Sequence, residues 1–85
     1  MKVVVLYFAR LREAVGHDRE ELELPPQVAT VAQLRAWLIA RGEPWAVAFT
    51  EIKRIRAAVD QAMAADDSSL RDGAEVAFFP PVTGG

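Results

Sequence analysis

Lys2 to Ala9, KVVVLYFA, is the stretch on which the fold turns. Its side chains are mostly β-branched or aromatic, and it is too short for a good helix. It therefore reads as a strand covered on both faces and placed centrally in a sheet. Directly after it, Leu11, Ala14 and Val15 fall at helical spacing within Arg10 to Val15. Gly16 suits the left-handed cap that ends such a helix. From Arg19, REELELP sets Leu22 and Leu24 on one strand face and Glu21 and Glu23 on the other. Pro25 and Pro26 then remove the amide donors a longer ladder would need.

Thr30 and Gln33 form a capping-box pattern, and Val31, Leu34, Trp37 and Leu38 recur on one helical face before Gly42. This is the main helix. Pro44 to Phe49, PWAVAF, lacks strict alternation and starts a second short helix with proline near its first turn. Ile52 and Ile55, followed by Ala57 to Val59, suggest a strand. Asp60-Gln61 turns that strand back into Ala62 to Ala65. Asp66 to Ser69 is a polar loop, Leu70 an anchor beneath it, and Asp72-Gly73 a turn into a last strand, Glu75 to Phe79. On that strand Val76 and Phe78 share one face, so Ala77 and Phe79 take the other. The order strand, strand, helix, strand, strand, strand implies an α+β fold: one mixed sheet packed on one main helix. The expected division is a domain over residues 1–79 and an extended tail over residues 80–85.

The 85 residues allow one small domain, which hides roughly 60% of its unfolded surface. A formal charge of -2 gives no general field for holding phosphate backbones, which argues against nucleic acid as a partner. Without cysteine the chain forms no disulfide, thiolate metal site or cysteine thioester, and this composition suits a reducing cytoplasm. Val3 to Ala9 is far shorter than the roughly 20 apolar residues of a membrane span, and Lys2 alone before it makes a poor signal peptide. The expectation is a soluble, untargeted, cytoplasmic protein.

Pro80-Pro81 stops the final strand, and Val82-Thr83-Gly84-Gly85 is expected to project beyond it. The six residues from Pro80 to Gly85 can extend roughly 20 Å, enough to carry a terminal carboxylate into a partner's channel. Glycines lack Cβ atoms, so a partner can close around the backbone of Gly84 and Gly85 and reach the last carbonyl. A carboxylate is a poor electrophile until its oxygen becomes a leaving group, which an ATP-using partner achieves by forming an acyl-adenylate. Sulfide attack on that species yields a thiocarboxylate. Taken alone, Gly84-Gly85 is a frayed end: at glycine usage of about 7%, two terminal glycines arise by chance in roughly 0.5% of chains.

The residues before the glycines alter that balance. Phe78-Phe79-Pro80-Pro81-Val82-Thr83-Gly84-Gly85 resembles the tail of the small subunits of molybdopterin synthase. Similarity extends through Leu11-Arg12-Glu13 with Gly16, Val31 to Arg35, Ala57 to Gln61, Asp72-Gly73 and Glu75 to Ala77. The resemblance implies a β-grasp, ubiquitin-like fold and a sulfur-carrier role. In that family the terminal glycine is adenylylated by a ubiquitin-activating-type enzyme using ATP, then converted to a thiocarboxylate. It delivers sulfur to cyclic pyranopterin monophosphate, and two transfers make the dithiolene. By the same resemblance, the catalytic pocket belongs to the large synthase subunit, the assembly is a heterotetramer, and this subunit binds no cofactor itself. Gly85 becomes the acyl and sulfur carrier, Gly84 the narrow backbone element, Val82 and Thr83 channel contacts, and Phe79, with Pro80 and Pro81, a docking element. Departures are Asp60, where asparagine is expected, and the basic run Lys53, Arg54 and Arg56. A carrier for thiamine or another sulfur-containing product, a ubiquitin-like protein modifier and a noncovalent interaction module remain as alternatives. Higher-mass conjugates through Gly85 would mark the modifier.

Other candidates have plainer readings. His17, between Gly16 and Asp18, is a solvated turn residue rather than a general base, and the hydroxyls of Thr30, Thr50, Ser68, Ser69 and Thr83 lack partners for a nucleophilic centre. Asp66-Asp67 has no further ligand spacing, so no metal is expected. Lys53, Arg54 and Arg56 read as a solvated strand edge that could steer an acidic partner surface, and Arg10 and Arg12 as solvated too. Trp37 belongs to core packing, whereas Trp45 either covers the sheet edge or joins an interface.

Overall fold

A computed structural model describes residues 1–81. The element order is β1 (Lys2–Tyr7), α1 (Ala9–Val15), β2 (Arg19–Glu23), α2 (Val31–Ala40), α3 (Trp45–Glu51), β3 (Arg56–Val59), β4 (Ala62–Ala64) and β5 (Glu75–Phe79). The strands form one five-stranded sheet in the order β2-β1-β5-β3-β4. The β1–β5 pair is parallel and the others are antiparallel. A parallel pair needs a long crossover, and here all the intervening elements lie between its members, with α2 as the main helix. This is the β-grasp arrangement, as the resemblance implies.

Strand β1 is interior but not central; β5 holds the centre, with β1 and β3 on its flanks. The expectation of a strand covered on both faces is also corrected. Val3, Val5 and Tyr7 are buried, whereas Val4 and Leu6 are half-buried and Lys2 is exposed. All three helices contribute to the buried side, with Leu11 and Val15, then Val31, Leu34 and Leu38, then Ala48 and Phe49. The Phe49 ring stands edge-on to Tyr7 at 6.5 Å and to Phe78 at 5.2 Å between centroids, which ties α3 to both strands of the parallel pair.

The local signals explain the element ends. Gly16 takes φ 85 and its amide donates to Arg12 O, closing α1. Thr30 Oγ1 accepts from the Gln33 amide, while Gln33 Oε1 accepts from the Ala29 amide rather than from that of Thr30. The capping box is thus displaced by one residue on its return arm. Asp60 and Gln61 both have positive φ, at 49° and 70°, as the tight hairpin between β3 and β4 requires. Asp60 holds the turn to the sheet as well, since its Oδ1 accepts from the Glu75 amide at 3.0 Å. Aspartate therefore does the work expected of asparagine. Leu70 is buried beneath its loop. Among the described residues no helix is long and apolar enough to cross a membrane.

Candidate functional site

The helices cover one face of the sheet, and alternation fixes what the other face presents. Val4 and Leu6 of β1, Ala58 of β3, Met63 of β4, and Ala77 and Phe79 of β5 share the uncovered side, as the pairs Leu6↔Ala77, Ala58↔Ala77 and Ala58↔Met63 require. Phe8 follows inward-facing Tyr7 in extended conformation and so joins this face. Its amide donates to Phe78 O at 3.2 Å, which seats Phe8 beside Phe79 at the end of the sheet where β5 finishes. Phe8 is 45% and Met63 61% exposed, so an apolar strip reaches solvent across the sheet.

Phe79 points outward as its parity predicts, although it is half-buried rather than fully exposed. Pro80 and Pro81 follow it, also half-buried. Val82, Thr83, Gly84 and Gly85, to which the sequence assigns the carrier chemistry, lie outside the described residues. The structure adds Phe8 and Met63, which the sequence reading passed over. Their signal was available in the alternation, since Phe8 falls one step beyond an inward tyrosine and Met63 lies across the Asp60-Gln61 turn from outward Ala58.

The basic run is corrected in position. Lys53 and Arg54 belong to the turn between α3 and β3, not to a strand. Arg56 opens β3, which lies between β5 and β4 and is no edge. Ile52 and Ile55, expected in the strand, instead pack against the core from that same turn. Arg35 crosses beneath it. Its Nη2 donates to Ile55 O at 3.4 Å and its Nη1 donates to Asp66 Oδ1 at 3.1 Å, so Asp66 is paired, although both Asp66 and Asp67 are exposed.

A second polar cluster lies at the opposite edge, under β2. Glu20 Oε2 accepts from Tyr7 Oη at 2.6 Å, from Trp45 Nε1 at 3.2 Å and from Arg41 Nη1 at 3.2 Å. Burial first, then the hydrogen bond and negative charge of Glu20, push the Tyr7 hydroxyl well above its ordinary pKa. The Arg41 guanidinium stacks 3.7 Å from the Trp45 ring centroid, and the imidazole of His17 lies parallel to that ring at 6.1 Å. Trp45 therefore covers the sheet edge, and this cluster pins α3 to the strands. His17 is exposed, as expected of a turn residue, although it rests against Trp45. Trp37 is half-buried against the core, with Arg41 over its outer side at 5.5 Å.

The uncovered apolar strip runs to Phe79, and among the described residues it holds no nucleophile or acid–base pair. The ThiS family model matches residues 5–85, which is almost the whole chain. The chain belongs to the ThiS family. A ThiS-family relationship of this extent runs through β1, the helices, β5 and the tail together. The molybdopterin synthase sulfur carrier subunit of Escherichia coli is 46% identical over 83 residues, covering 98% of this chain and 99% of that protein. A solved structure described as a putative molybdopterin converting factor, subunit 1, from Pyrococcus furiosus is 32% identical. It covers 96% of this chain and 99% of its own, with a TM-score of 0.72. The fold is shared as well by a chain of the complex of subunits 1 and 2 of molybdopterin-converting factor from Helicobacter pylori. That chain is 20% identical, with a TM-score of 0.66, and the match covers 100% of each chain.

Proposed function

We propose that this chain is the sulfur-carrier subunit of a molybdopterin synthase. The observation that carries the reading is the 46% identity to a protein of that name over nearly the full length of both chains. The geometry supports it, because the open apolar strip runs to Phe79, after which Pro80 and Pro81 lead into the tail sequence. A partner seated on Val4, Leu6, Phe8, Met63, Ala77 and Phe79 receives the tail at the same time.

In this reading Gly85 is adenylylated by a ubiquitin-activating-type adenylyltransferase. Its carboxylate oxygen attacks the α-phosphate of ATP and pyrophosphate leaves. A sulfur donor then displaces AMP and leaves a thiocarboxylate. The tail enters the large synthase subunit, where Gly84 allows close passage, Val82 and Thr83 line the channel, and Phe79, Pro80 and Pro81 hold the root. The thiocarboxylate sulfur bonds to a carbon of cyclic pyranopterin monophosphate, in a pocket supplied by the large subunit, and water then cleaves the acyl–sulfur bond and restores the Gly85 carboxylate; two such transfers build the dithiolene. The chain itself contributes the carrier group and its presentation, and holds no cofactor or metal. The subunit pairing described for the Helicobacter pylori proteins supports a large-subunit partner, and the reading extends it to two copies of each subunit in the cytoplasm.

Incubation with the activating enzyme, ATP and a sulfur donor tests this directly. Intact mass should rise by the exchange of one oxygen for one sulfur. Deleting Gly85 should abolish the change and leave the thermal midpoint of the body unaltered. An unchanged wild-type mass beside an active control carrier refutes the carrier role, and higher-mass conjugates in its place indicate a protein modifier.

A further inference from the structure

The apolar strip accounts for Phe8, Met63 and Phe79 but not for the cations beside them. Lys53, Arg54 and Arg56 put three positive charges into four residues of a chain whose net charge is -2. All three are exposed, and among the described residues none of them forms an ion pair. Arg56 pairs in register with Phe79 and, one step from inward Ala57, lies on the open face beside the last residue of β5. Lys53 and Arg54 stand in the turn before it, separated from it by Ile55. Across β5, Arg10 stands in the first turn of α1, two residues beyond the Phe8 amide that bonds to Phe78 O. Arg56 therefore puts a positive charge beside the end of β5 on the open face, with Lys53 and Arg54 in the turn that leads into its strand and Arg10 on the helix across β5. The nearest acid in sequence, Glu51, closes α3.

The backbone at Arg54 supplies an independent observation. Its φ is 60°, in the left-handed region that glycine and asparagine occupy with least strain. The turn is conformationally suited to glycine, yet it carries a long cation into solvent. Ala9, Asp60 and Gln61 share the left-handed region, so the backbone alone does not single out Arg54; what sets Arg54 apart is a long cation with no ion pair among the described residues.

We propose that Lys53, Arg54 and Arg56 form a basic collar at the root of the tail, matched to an acidic rim around the opening through which the large subunit admits that tail. The inference rests on the carrier reading and adds the charge of the partner. A narrow channel accepts a tail only when the body arrives in one orientation. Long-range attraction between collar and rim selects that orientation before the apolar strip makes contact. The strip then governs how long the complex lasts, and the collar how fast it forms. Nucleic acid is a poorer occupant, because the net charge of the chain is negative and the cations adjoin an apolar strip.

Stopped-flow association with the purified large subunit tests the collar, comparing the full-length wild type with Arg54→Gly and with the double variant Lys53→Glu/Arg54→Glu. At low salt the double variant should associate about tenfold more slowly, and Arg54→Gly severalfold more slowly. All three should converge near 1 M salt, where the Debye length falls to about 3 Å. Dissociation rates should stay within about twofold of wild type, as expected for charges that act on encounter. Glycine adopts the observed φ freely, so Arg54→Gly should melt no lower than wild type, which separates loss of charge from loss of fold. Wild-type association that ignores salt, variants that associate as fast as wild type, or faster association on charge reversal would overturn the collar. Failure of the folded wild type to bind the large subunit at all would overturn the carrier reading and the collar with it.

Discussion

The two faces of the sheet are built from the same strands by the same alternation, and they end in opposite environments. Toward the helices, Val3, Val5, Val76 and Phe78 are 0% exposed. On the other side Val4, Leu6, Ala77 and Phe79 are only half-buried, and Phe8 and Met63 reach well into solvent. Phe78 and Phe79 are neighbours of one residue type, yet the first closes the core against Phe49 and the second is half-buried on the face no helix covers. Residue type thus says little about role here, and parity along the strand says most of it. An apolar side chain on a strand stabilises the fold only where a helix covers it; elsewhere it is available for association.

The comparison breaks most visibly at that pair. Phe78→Ala removes a fully buried ring and should cost about 3–5 kcal/mol of stability, read as a large fall in the denaturation midpoint. Phe79→Ala should stay within about 1 kcal/mol of wild type in the same experiment. Equal losses at the two positions would dissolve the distinction between the faces. Binding should invert the ranking among folded variants. Phe8→Ala and Phe79→Ala should each weaken affinity for the large subunit about tenfold or more in calorimetric titration, as expected for aromatic anchors. Met63→Ala should have a smaller effect, since it lies away from the tail root.

The smallest effect sharpens the covered side. Tyr7 is the single tyrosine, and its hydroxyl is held protonated by burial and by Glu20. Its folded pKa is raised, so the contribution is complete below the unfolded value of about 10 and declines as pH rises beyond it, because the unfolded chain releases the proton first. Stability followed from pH 8 upward should fall more steeply for wild type than for Tyr7→Phe above about pH 10. Parallel curves would mean that the hydroxyl is not shielded as the Glu20 cluster implies.

Much of this architecture was legible in the chain. Strand and helix order, the left-handed cap at Gly16, the Asp60-Gln61 hairpin and the inward aim of Val76 and Phe78 all follow from short-range rules that act within a few residues. The parts that were not legible depend on distant elements. Val4 and Leu6 share an apolar run with buried residues, so composition could not tell that one face lacks a helix. The displacement of Lys53 and Arg54 from strand to turn follows from where α3 stops and from the left-handed backbone at Arg54, where arginine gives no glycine-like signal. Glu20 looked like one more acid in a charged strand. Its role required Tyr7, Arg41 and Trp45 to meet under β2, which no local pattern announces. At the candidate site, parity identified Phe79; the same alternation held the signal for Phe8 and Met63, but it tells only once one face of the sheet is known to be open.

The position of β5 has a mechanical consequence. Its ladders to β1 and β3 run on either side of the strand whose end becomes the tail. Tension applied along that tail pulls β5 lengthwise, loading the hydrogen bonds of both ladders together in shear rather than peeling them one at a time. If the end is gripped and released as the proposed carrier cycle requires, the tug is shared between two ladders, and the body resists unravelling from that end.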